Sequence, residues 1–244
     1  ASPVQTNEAS NAVGDVTEKV MIGYKTWNRR GDVIAFCRLY TEPKNSMEPG
    51  LGLFLANPEL QQVVGPLDIS PDGLPLNASL CSPVRWLNDR QLLCSVATYA
   101  NKAFPEKSNV PDGPEVQEHC THAQKKVRTY QDLIQTKHDE KLFYHIGTSH
   151  FVLVSIMYRD GKLKFKKKVV SEPGLYCGCS VSPSGEFLKI NRYTETSRMV
   201  PYYRFAKEIS IFRYNASKST LSFVRQVDML EVADKIPIAH NSCR

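Results

Sequence analysis

Several things are missing from this 244-residue sequence, and each absence removes a class of protein. No apolar run approaches the roughly 18 residues that a helical membrane span requires. No charged segment followed by an apolar one opens the chain, although it starts at Ala1 rather than Met, so this says nothing about compartment. There is no Gly-x-Ser-x-Gly string to raise a serine on a strained strand-to-helix turn. Its nearest approach, Gly178-Cys179-Ser180-Val181-Ser182, lacks the second glycine and sits in a hairpin context. A strong excess of one charge is also lacking: 31 Lys and Arg stand against 25 Asp and Glu, a net +6 that is mild for a dedicated nucleic-acid binder. At 41% hydrophobic and 23% charged the chain is neither disordered nor collagen-like.

Cysteine is present but in the wrong pattern for a disulfide framework. Seven is an odd number, and Cys37, Cys81, Cys94 and Cys177 lie in apolar, strand-like runs where a free thiol acts as a small hydrophobe. This implies a reducing compartment. The sequons Asn77-Ala78-Ser79 and Asn215-Ala216-Ser217 would matter only outside one. Cys177-Gly178-Cys179 lacks the second pair that a metal clamp needs, and His119, Cys120, His122 and His138 fall in or beside a polar stretch that reads as solvated loop. No metal site and no cofactor are expected.

What remains is a succession of strands and tight turns. Residues 1–18 read as a flexible arm. Tyr24–Trp27, a turn holding Gly31, and Val33–Cys37 form a hairpin pattern with glycine where positive φ is suited. The same pattern returns at Val84–Trp86 with Leu92–Val96, and at Cys179–Val181 with Phe187–Ile190. Further strand pairs are expected at Leu51–Ala56 with Gln61–Leu67, at Phe151–Tyr158 running on through the turn Arg159–Lys162, and at Glu208–Tyr214 with Ser222–Val227. Residues 97–126 read as an inserted surface loop. Val127, Tyr130, Leu133 and Ile134 behind it have helical spacing, with Thr129 as a cap. Trp27 and Trp86 lie 59 residues apart and Trp86 and Val181 lie 95 apart, the latter room for two units. Repeated units ending a strand on an aromatic before a turn predict an all-β chain: an incomplete β-propeller of about four blades over 19–244, with one short inserted helix. A two-sheet sandwich is the competing architecture.

Two stretches of the sequence are distinctly cationic. Lys162–Lys168 alternates, as an outer strand protected by lysines does, and is read so in preference to a nucleic-acid patch. Arg192 and Arg204, set among Tyr193, Tyr202, Tyr203 and Phe205, could hold a carboxylate in a groove or simply stack on rings.

A colinear series of segments then resembles the propeller of the glutamyl endopeptidases, in the prolyl oligopeptidase superfamily of serine peptidases. It comprises Asn77-Ala78 with Val84–Asp89 and Leu92-Leu93, Val110–Gly113-Pro114, Val127–Leu133, Asp139–Phe143, Val200-Pro201 with Arg204-Phe205, and Ile236–Ala239 with Asn241-Ser242 and Arg244. The third hairpin departs from the pattern, with Val181-Ser182-Pro183 in place of a tryptophan, and the stretch from Arg192 to Pro201 is about two residues long, which weakens the transfer of Arg192. The resemblance implies a substrate-gating propeller in front of an α/β-hydrolase domain whose Ser-Asp-His triad cleaves after glutamate. No such domain is recognised in this sequence, so the catalytic residues, the remaining blades and the peptide substrate's reaction centre are expected elsewhere and the chain alone is expected to be inactive. It also implies Arg204, and with it Arg192, as substrate-binding residues, no nucleic-acid or membrane partner, and residence in the chloroplast stroma or cytoplasm. A non-enzymatic propeller that binds a protein or peptide is the alternative.

Overall fold

A computed structural model describes residues 22–40, 50–70, 73–98, 103–107, 134–159, 162–196, 201–202 and 205–227. The expected arm at 1–18 and most of the inserted loop at 97–126 lie outside them.

The described chain is all-β apart from one helix, and its strands fall into three four-stranded antiparallel sheets. The first contains β1 (Ile22–Trp27), β2 (Ile34–Tyr40), β3 (Gly50–Asn57) and β4 (Gln62–Val64). The second contains β5 (Val84–Asn88), β6 (Gln91–Ala97), β7 (Ser149–Arg159) and β8 (Lys162–Val169). The third contains β9 (Tyr176–Val181), β10 (Phe187–Tyr193), β11 (Lys207–Asn215) and β12 (Thr220–Val227). In every sheet the strands neighbour one another in chain order. The recurring hairpin of the sequence is thus the first hairpin of each sheet, and all the strand pairs read from the sequence form. The turns close where glycine was expected, with Gly31 at φ +77° and Gly185 at φ +80°.

The sheets stack face to face, with the second in the middle. Leu92, Cys94 and Val96 of β6 and Val152, Val154 and Ile156 of β7 pack on Val33, Ala35, Cys37, Leu53 and Leu55 of the first sheet. Alternate residues point the other way, so Leu93, Phe151 and Leu153 pack on Tyr176, Leu188, Ile190 and Tyr214 of the third. Every residue of β6 is buried. A strand covered on both faces reads as a continuous apolar run, which Leu92–Val96 nearly is. Each such leucine gains about 2 kcal/mol over remaining exposed. Three layers distinguish this arrangement from a sandwich of two.

At one end of the stack the three first-hairpin turns meet. The Asn28 amide donates to the Asp89 carbonyl (3.1 Å), the Arg30 backbone N–H donates to Asp89 Oδ1 (2.9 Å), and Arg29 Nη2 donates to the Pro183 carbonyl (2.8 Å). Trp86 Nε1 donates to the Thr26 carbonyl (3.0 Å), so the tryptophan ahead of the second turn bonds β1, an edge strand of the first sheet. Between the second and third sheets Gln91 donates to Ser219 Oγ (3.0 Å) and accepts from Asn88 (2.6 Å) and from the buried Tyr214 hydroxyl. Burial pushes the Tyr214 phenol up to about 12, which keeps it a donor.

The described helix, α1 (Lys137–Gly147), lies after the segment with helical spacing, of which residues 127–133 are outside the described set and Ile134 is buried and not helical. Thr136 caps α1 in a capping box, its hydroxyl accepting from the Asp139 N–H (3.1 Å) while the Asp139 carboxylate accepts from the Thr136 N–H (3.0 Å). The 95-residue interval from Trp86 to Val181, read as room for two units, holds among the described residues one sheet with α1 in its β6–β7 connection. The described residues therefore hold three sheets, against an expectation of about four units.

Candidate functional site

Arg192, the one sequence-derived site residue among those described, belongs to the end of the stack opposite the turns, where α1 sits on the third sheet. Phe143 of α1 packs edge-on against Phe205 (5.6 Å between ring centroids) and against Tyr193 (6.4 Å). These join Ile134 and Leu175 in a small apolar cluster that fastens the helix to β9 and β10. Thr196 Oγ1 donates to the Glu140 carboxylate on α1. Asn77 is buried, and its amide donates to the carbonyls of Ile146 (2.9 Å) and Thr148 (3.3 Å) at the helix end. The first sequon is therefore a structural bridge, whereas Asn215 of the second is exposed in the β11–β12 turn.

Arg192 lies on β10, and its Nη2 stands 2.7 Å from Glu208 Oε2 on β11, opposite it in the register. Hydrogen bonds from Arg192 and from Ser210 Oγ (3.1 Å) hold the Glu208 carboxyl below the usual carboxylate range. Arg192 is thus already matched by a carboxylate in this structure, and a substrate carboxylate would compete with Glu208 for it. Sequence reasoning missed Glu208, because a partner 16 residues away is fixed only by the hairpin register. Arg204 and Tyr203 lie outside the described residues; Tyr202, their neighbour, is exposed at 48%. Tyr193 carries Lys207 over its ring at 5.4 Å, and burial pushes its phenol up to about 12. The described part of the cationic-aromatic stretch is therefore a tyrosine with Lys207 across it beside an Arg–Glu pair.

The remaining chemical candidates resolve as structure. Ser180 sits mid-strand in β9 opposite Lys189, not on a strand-to-helix turn. Cys37, Cys81, Cys94, Cys177 and Cys179 are free thiols. Burial pushes Cys37 and Cys179 up to about 12, which makes them poor nucleophiles. Among the described residues no group of three or more His, Cys, Asp or Glu could hold a metal ion. His119, Cys120 and His122 lie outside them, and His138 is on α1. Lys162–Lys168 forms β8, an outer strand of its sheet, with Lys167 paired to Asp68 at 3.0 Å. No helix among the described residues is long and apolar enough to cross a membrane.

No protein-family model matches the chain. A probable chloroplastic glutamyl endopeptidase of Oryza sativa subsp. japonica is 32% identical over 93% of this chain. Its counterpart in Arabidopsis thaliana is 33% identical over 91%. The chain spans only 23% and 22% of the length of these two relatives. The crystal structure of the tricorn protease is similar at a TM-score of 0.39 and 7% identity, covering 87% of this chain and 19% of that one. Along nearly its whole length, then, the chain is similar to one stretch of the glutamyl endopeptidases, amounting to less than a quarter of their length.

Proposed function

We propose that this chain is the propeller portion of a serine endopeptidase that cleaves after glutamate, and that its three sheets are consecutive blades that gate access of peptides to a catalytic domain. The similarity over more than nine-tenths of the chain to proteins named glutamyl endopeptidase carries this reading. The stack of four-stranded meanders, with the middle one covered on both faces, supports it, because blades of a propeller pack in this way around a common axis. The chloroplast is the compartment in keeping with both relatives' names and with five free thiols.

Acyl transfer by such an enzyme needs a serine nucleophile and a histidine base in hydrogen-bond reach. On this reading they belong to another part of the parent protein, and the chain alone is inactive. The purified chain should leave a Glu-containing reporter peptide intact. Cleavage that a serine-directed inhibitor abolishes would overturn the assignment. Within this reading, Arg204 contacts acidic substrate, and Arg192 does so only by exchanging Glu208 for it. In an enzyme that includes the catalytic domain, Arg204→Ala should lower kcat/KM for glutamyl substrates by about tenfold or more, the scale of one charge-assisted contact. An unchanged kcat/KM would remove Arg204 from the site.

A further inference from the structure

Each sheet ends in two strands that have a single strand neighbour among the described residues: β1 and β4, β5 and β8, β9 and β12. Such an edge offers unpaired N–H and C=O groups to any extended chain, and proteins blunt it by brevity, by a bulge or by charge. β4 is only three residues long. The pairing of β1 shifts register between Gly23 and Lys25, and that of β5 between Trp86 and Asn88. That of β9 shifts opposite Asn191 and Arg192, and that of β12 opposite Ile211 and Phe212. β8 has neither device. It pairs with β7 without interruption, from Val169 opposite Val152 to Lys162 opposite Arg159, over all eight of its residues.

What β8 has instead is charge of one sign. Leu163 and Phe165 pack toward the first sheet, and Lys167 on the same face pairs with Asp68. Lys162, Lys164, Lys166 and Lys168 take the alternate positions, about 7 Å from one to the next. Lys168 Nζ donates to the Ser219 carbonyl at 3.3 Å, so this row is turned toward the third sheet. Neither β7 nor β8 contains an Asp or Glu. Among the described residues Lys162, Lys164 and Lys166 meet no carboxylate. Charge alone guards this edge, then, and it guards against a neutral strand and against a second β8, whose lysines would oppose these. Against carboxylates it gives no protection.

We propose that the free edge of β8 takes up an extended acidic segment of a partner protein as an added strand, with Asp or Glu at every second position beside Lys164, Lys166 and Lys168. Main-chain hydrogen bonds supply the affinity, and opposite charges about 5 Å apart across the edge supply the selectivity. A polynucleotide matches the charge of the lysines but cannot answer the N–H and C=O groups of a regular strand, and β8 offers it no row of aromatic rings for stacking. Both faces of the second sheet are covered within the chain, so what is offered here is an edge and not a further layer of the stack. This inference does not depend on the peptidase reading.

The probe is a capped peptide of alternating Glu and Val, as long as β8, titrated into the whole chain at low salt and followed by calorimetry. It should bind at least about tenfold more tightly than a peptide of the same composition with its Glu and Val in separate blocks, and about 0.5 M salt should weaken it. K164E/K166E should abolish binding, with an unchanged urea midpoint to establish that the variant is folded. Methylating the peptide nitrogens of every Glu, or of every Val, removes the N–H groups from one side of the strand only. One of these two peptides should lose binding and the other keep it. A folded wild-type chain that ignores the alternating peptide would overturn the proposal, as would binding that survives K164E/K166E. Equal binding of the block peptide, or of both methylated peptides, would reduce the contact to bulk charge and defeat it. Tighter binding of a single-stranded DNA oligonucleotide, lost in K164E/K166E, would assign the lysines to nucleic acid and defeat it as well.

Discussion

Glu208 shows how one carboxylate ties a site to stability. Its pKa is lowered in the folded chain, chiefly by the hydrogen bond from Arg192, relative to the ordinary value of 4.5. A group shifted this way stabilises the fold above its unfolded pKa and loses that contribution as pH falls through the folded one. Wild-type chain should therefore lose stability on acidification below about pH 4.5 more steeply than Glu208→Gln, which cannot titrate there. Urea midpoints for both proteins from about pH 6 to about pH 3 check this, and parallel curves would show that the pair contributes nothing. The sequence marks Arg192 only as a cation next to Tyr193. It gave no sign of Glu208, since opposition across a hairpin depends on a register that one inserted residue would shift. Gly65 is a second such residue. Its φ of +153° and the Phe54 ring, 2.4 Å from where a Cβ would stand, exclude any side chain, yet nothing in the local sequence announces the contact.

Elements were legible wherever their pattern was local. All six strand pairs follow period-two or continuous apolar runs broken by Gly, Pro, Asn or Ser, and the turns at Gly31 and Gly185 need only the glycine. The helical spacing of Val127, Tyr130, Leu133 and Ile134 falls, but for Ile134, outside the described residues, and α1 carries a weaker apolar pattern. α1 lies against the end of the stack and buries few side chains, so its sequence lacks a broad apolar face. Its signal was the capping box at Thr136 and Asp139, with Glu140 adding negative charge in the first turn. An 11-residue helix is marginal without such support. Thr136→Ala should cost about 1 kcal/mol in a urea titration, whereas Thr136→Ser should cost little. Equal stability of the two variants would show that tertiary contacts through Phe143 hold the helix by themselves.

At the scale of the molecule, the second sheet is shared by both main cores. β6 and β7 contribute one set of side chains to the first interface and the alternate set to the second, so unfolding of the second sheet opens both cores, whereas loss of an outer sheet opens only one. The amides of Leu92–Ala97 and Val152–Ile156 should exchange slowest with solvent, and those of the exposed outer strand β12 fastest among the strands. Native-state hydrogen exchange followed by mass spectrometry tests this. Equal protection in all three sheets would mean that they unfold as one unit, with no internal hierarchy.

The sequence by itself determined the strands, the turns, the all-β class and the resemblance to the glutamyl endopeptidases, because each rests on side-chain alternation, on backbone freedom at single residues or on colinear segments. Tertiary structure alone decided which strands share a sheet interval, that the middle sheet is buried twice, and that Arg192 is met by Glu208. Those depend on register and on the packing of distant segments, where free energy is set by what lies across a gap of about 5–10 Å and not by what comes next along the chain.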